Sequence, residues 1–86
     1  MPDANEPTLE MSIAYSAAAN VCSACAGFVT GMVTPAYVNA MSCRAHQAAM
    51  RIRANRPVSD AAGIAAEAAI GASGNADLLM REYGHE

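Results

Sequence analysis

From Met11 onward, apolar and small residues recur at alternating intervals of three and four: Met11, Ala14, Ala18, Val21, Cys25, Phe28 and Met32. Such spacing puts one stripe of side chains on one face of a helix, and nowhere does the chain show the strict alternation of a half-buried strand. The expected fold class is therefore all-α. Pro7-Thr8 followed by Leu9 and Glu10 reads as a helix start, with Thr8 as N-cap and an acid in the first turn. Gly31 is the expected stop, and Thr34-Pro35 supplies the next start, a capping hydroxyl followed by proline at the first helical position. Two helices joined this tightly are expected to lie antiparallel.

The second helix, about 35–55, carries its main stripe at Val38, Met41, Ala45, Ala48 and Ile52, with a second apolar side at Ala36, Ala40, Cys43 and Met50. A helix apolar on two sides is expected to touch more than one neighbour. Pro57 breaks it and Ser59 caps a third helix that begins near Asp60. Gly71 and Gly74 weaken that helix, and Asn75 is placed to cap a short fourth one through Leu78, Leu79 and Tyr83. The architecture that follows is a small bundle: an antiparallel hairpin, a third helix and a short fourth. Residues 1–8, acidic and holding two prolines, read as a disordered lead-in to a single helical domain over 9–86.

Energetics decide what such a bundle needs. Apolar residues make up 53% of the chain, but 21 of those 46 are alanine, and Leu, Ile, Val and Phe together number 13. Large side chains contribute about 1.5–3 kcal/mol each when fully buried, so 13 of them and six Met make a thin core. Chains in that position recruit a metal, a disulfide or a partner. Three cysteines cannot all pair within one chain, and no basic, Leu-rich leader opens the sequence, so reduced thiols in a cytoplasm are expected.

Charge narrows the partners. The net charge is −3, there is no Lys, and the one basic run, Arg44, Arg51, Arg53 and Arg56, is flanked by acidic ends. Nucleic acid needs a broad positive face, which is missing. The arginines read first as cations at a helix C-terminus, complementing its dipole, and second as a docking surface for an acidic partner.

Between Glu10 and Arg44 lie 33 uncharged positions, more than the roughly 20 that cross a bilayer. Their large residues supply only about −2 kcal/mol of insertion free energy, and Asn20 with several Ser and Thr opposes it. A tight helix seam is the better expectation: Ala19, Ser23, Gly27 and Gly31 form a ladder of small residues at every fourth position, flanked by Phe28 and Met32.

A different chemistry is offered by Cys22-x-x-Cys25 and, 17 residues later, Cys43-x-x-His46. Residues three apart share a helix face, and a hairpin folded near Val33-Thr34 would set both pairs at one height, three thiolates and an imidazole for zinc or an iron–sulfur cluster. Against it, structural zinc ligands usually come from loops, and Cys43 with His46 lies off the main stripe. Buried thiols and an exposed histidine are the plainer expectation, and a redox dithiol would sit at a helix N-terminus. Catalysis finds little support, since His46 and His85 have no obvious Ser or carboxylate partner and no glycine-rich phosphate loop is present. The expectation is thus a non-catalytic helical protein that completes its core by association with itself or a helical partner, needing no cofactor. A cytoplasmic metal-binding protein is the alternative, and a membrane-associated helical hairpin the second alternative.

Overall fold

Two short connections divide the chain into three helices, α1 Thr8–Val29, α2 Pro35–Ala54 and α3 Asp60–Tyr83. The computed structural model describes residues 8–55 and 57–83, and all regular structure among them is helical. The lead-in expected over 1–8 falls outside the described residues except for Thr8, which opens α1 rather than capping it.

Local chemistry closes each turn. After α1 ends at Val29, Gly31 takes a φ of +79°, a left-handed conformation that costs glycine little. The Gly31 N–H donates to the Phe28 carbonyl at 3.0 Å and the Met32 N–H to the Gly27 carbonyl at 2.7 Å, the paired bonds of a Schellman ending. Gly27 is required for a different reason: a Cβ there would overlap Cγ2 of Val33 and lie 3.2 Å from its Cβ. The turn folds flat because Gly27 has no side chain. Thr34 then caps α2, its Oγ1 accepting from the Tyr37 N–H at 3.2 Å, with Pro35 next in line. At the far end the Asn55 N–H donates to the Ile52 carbonyl, while its Nδ2 donates to Glu10 Oε1 at 2.7 Å and ties the end of α2 to the start of α1. Ser59 Oγ accepts from the Ala62 N–H at 3.2 Å and caps α3 as expected.

Each helix packs against both others, and what lies between them is mostly alanine. Among the described residues sixteen apolar ones are buried, and twelve of these are Ala; the others are Val21, Val38, Met41 and Ile52. The buried residues of α3 are all small: Ala62, Ala65, Ala66, Ala69, Ala72, Ser73 and Ala76, with Ile70 and Met80 half-buried beside them. Side chains this short let helix axes approach toward the lower end of the usual range of about 8–10 Å. The result is a rod 47 Å long and 17 by 15 Å across. A uniform alanine face offers little to fix its register, and one buried polar contact supplies it: Ser42 Oγ lies 2.8 Å from Ser73 Oγ and donates to Asp77 Oδ1 at 3.2 Å.

Three expectations need correction. The five main-stripe residues of α2 are buried as expected, but the stripe widens through Ser42 and Ala49; Ala36, Ala40, Cys43 and Met50 are exposed. One broad face reaches both neighbours, so no second face is required. α3 runs unbroken through Gly71 and Gly74 with no fourth helix, because Ala69, Ala72, Ser73 and Ala76 pack on both sides of glycines that cost about 1 kcal/mol each. Within the chain, the seam of α1 is Ala14, Ala17, Val21 and Ala24. The small-residue ladder does not form it: Ala19 and Ser23 lie on the outward face of α1, Gly31 in the exposed turn, and Gly27 beneath Val33.

Candidate functional site

A groove of about 400 Å³ runs between α1 and α2, on the side away from α3. Helical spacing builds it. Ser12, Ser16 and Asn20 rise along one edge of α1 four residues apart, and Arg44, Gln47 and Arg51 along the facing edge of α2. Its floor is apolar, formed by Ala17, Met41 and Ala48, with Ile13 at the α1 rim. Every polar rim residue can donate a hydrogen bond, and no carboxylate lines the groove. Among the described residues neither guanidinium has a carboxylate partner, and the neighbouring acid, Glu10, is engaged by Asn55. The groove is an electropositive slot on an acidic protein.

Arg51 and Arg53 stand in the last turn of α2, where the dipole favours cations, so that part of the charge reading holds for them. Arg44 sits mid-helix and has no such explanation. Arg56 lies outside the described residues.

Diametrically opposite the groove, α3 carries a ridge of exposed residues at intervals of three and four: Asp60, Ile64, Glu67, Gly71, Gly74 and Leu78. Ile64 is 60% exposed. A Cβ added at Gly71 or Gly74 would meet nothing within 4 Å, so contacts inside the chain give no reason for either glycine. A third surface lies at the end of the rod near the first turn, where Phe28, Val29, Leu79 and Tyr83 line an apolar hollow and Met32 is 82% exposed.

The four residues nominated as metal ligands are divided between helix faces. Cys43 and His46 line a groove with Asn39, Ser42, Ser73 and Asp77, between α2 and α3. Cys22 is exposed on α1, and Cys25 is half-buried against the core. The hairpin sets the two pairs at similar heights, yet α2 turns Arg44 and Gln47, not Cys43 and His46, toward the outer groove it shares with α1. Among the described residues no group of three or more His, Cys, Asp and Glu side chains is placed to hold a metal ion. Cys22 and Cys25 lie inside α1 rather than at its N-terminus. Burial, and secondarily the neighbouring Cys22, pushes the Cys25 thiol above its ordinary range, the opposite of what a reactive thiolate needs.

Sequence spacing missed the polar edge of α1, the role of Gln47 and the α3 ridge. A signal was available for each: Ser12, Ser16 and Asn20 repeat every fourth residue, and Asp60 and Glu67 stand two turns apart. Compared with known proteins, the chain matches no family model, no curated protein and no solved structure.

Proposed function

We propose that this chain is a small non-catalytic helical subunit that works by binding copies of itself or a helical partner, as a structural or accessory part of a larger assembly. One observation carries the reading: large apolar side chains lie outside while alanine fills the inside. Leu9, Ile13, Val29, Met32, Ile64, Leu78 and Tyr83 are all exposed, against four large side chains in the buried core. A single soluble chain gains nothing from that distribution, whereas an assembly withdraws those side chains from water at roughly 25 cal/mol per Å². Three free cysteines suit a reducing cytoplasm. Sedimentation equilibrium across a hundredfold range of concentration tests it. Mass rising with concentration is expected; a cooperative monomer at every concentration, with no added protein, would remove the self-association arm of the reading.

A second reading has one observation in its favour. By length and composition α1, and no other helix among the described residues, could cross a membrane, and much of its surface is exposed in the bundle. Partition into detergent micelles with loss of α1–α3 packing is the expected outcome for a membrane protein; a chain that stays in the aqueous phase removes this reading.

A further inference from the structure

We infer that the groove between α1 and α2 receives the Asp60–Ile64–Glu67 ridge of α3 from a second copy of this chain, so that copies join head to tail. This rests on the self-association reading above and names its interface. The two surfaces match in charge and spacing. Arg44 and Arg51 are seven residues apart on α2, and Asp60 and Glu67 are seven apart on α3. At 1.5 Å per residue both pairs span about 10.5 Å along their helices, so two carboxylates meet two guanidiniums in one register. Ile64 lies between the carboxylates, and the floor it would reach is Ala17, Met41 and Ala48.

The occupant is a copy rather than the same chain because of direction. The ridge points away from the α3 face that packs on α1 and α2, and the groove opens on the side of that pair opposite α3. No chain can fill its own groove. A joint between two different patches leaves one groove and one ridge free at the ends, and growth continues to a ring or a filament. Gly71 and Gly74 extend the ridge with bare backbone, which lets the receiving helices lie close.

The test uses two variants of the full chain, each defective on one side. Arg44→Glu with Arg51→Glu turns the groove acidic; Ile64→Arg sets a cation on the ridge against the groove's own arginines and leaves the groove intact. Both changes are at exposed positions, and circular dichroism establishes that helicity is kept. Light scattering with sedimentation velocity reads the outcome. Wild type is expected to grow beyond a dimer and to shrink as salt is raised. Each variant alone is expected to lose association by about 100-fold or more, since like charges then face one another. Mixed in equal amounts, the variants are expected to give a capped 1:1 dimer, the intact ridge of one in the intact groove of the other. A groove variant that associates like wild type overturns this interface and leaves self-association standing. A helical mixture that stays monomeric overturns it as well. A wild type that is monomeric throughout removes both, and inorganic phosphate titrating into the groove of such a monomer assigns the groove to a small anion.

Discussion

α1 and α3 pack on the same core from opposite principles. α3 turns seven small side chains inward, packs half-buried Ile70 and Met80 at the margin of the core, and keeps its acids outside with Ile64 and Leu78. α1 buries only four residues, one of them Val21, supplements them with half-buried Met11, Cys25 and Phe28, and carries no charge on its outward face beyond Glu10. The difference teaches that α3 is held by closeness and α1 by bulk. Closeness tolerates no added volume, whereas bulk tolerates no loss of it. The contrast can be attacked directly.

The largest effect is expected from Ala66→Leu, at a fully buried α3 position where helices meet without spare room. Overpacking should cost about 3 kcal/mol, seen as a lowered midpoint in urea unfolding. Ala19→Leu, the same change on the outward face of α1, should stay within about 0.5 kcal/mol. Equal costs at the two sites would erase the distinction.

Glycine gives the next comparison. Gly27→Ala drives a methyl into Val33 and should destabilise by about 1–2 kcal/mol; pairing it with Val33→Ala should recover most of that, as a double-mutant cycle would read. Gly71→Ala on α3 meets open space and should stabilise the isolated chain by up to about 1 kcal/mol in the same assay. Ser42→Ala removes the one polar register mark between α2 and α3. It should cost about 1 kcal/mol and broaden the amide resonances of Ala69–Ala76 as α3 begins to slide.

The hairpin and its caps were legible in the sequence because Thr34, Pro35, Gly31 and Ser59 each have one strong structural preference. The α2 stripe was legible too, since arginine, glutamine and histidine set off Val38, Met41, Ala45, Ala48 and Ile52. Along α1 that contrast is missing. Ala17 and Ala24 are buried and Ala19 is exposed, and no property of the residues themselves separates three alanines in one run. Ala18 was therefore given a place on the stripe that Ala17 fills. The break expected at Gly71 and Gly74 failed for a related reason: propensity is local, while the packing that overrides it comes from α2. The candidate site was half legible. Its arginines stood out as a charge run, but the chain alone does not say which side of α2 will face outward beside α1. For Cys43 and His46 that choice decided against meeting Cys22 and Cys25.

The smallest effect lies with the cysteines of α1 and α2. Exposed Cys22 and Cys43 should be alkylated well before half-buried Cys25 when labelling is followed by mass spectrometry at pH 8. Because the folded state holds the Cys25 thiol above its ordinary range, the folded chain binds more protons than the unfolded one in alkali. Stability should then be unchanged below the unfolded thiol range, near pH 8.5, and fall as pH rises through it until Cys25 itself ionises. Cys25→Ala should flatten that fall in denaturant titrations at fixed pH values.

An interior built from methyl groups also has a calorimetric signature. Unfolding the monomer uncovers little hydrocarbon per residue, so its heat-capacity increment should fall below the usual value of about 12–15 cal/mol/K per residue. The stability curve against temperature is correspondingly broad and low, and the folded rod changes little in free energy between a cold environment and a warm one.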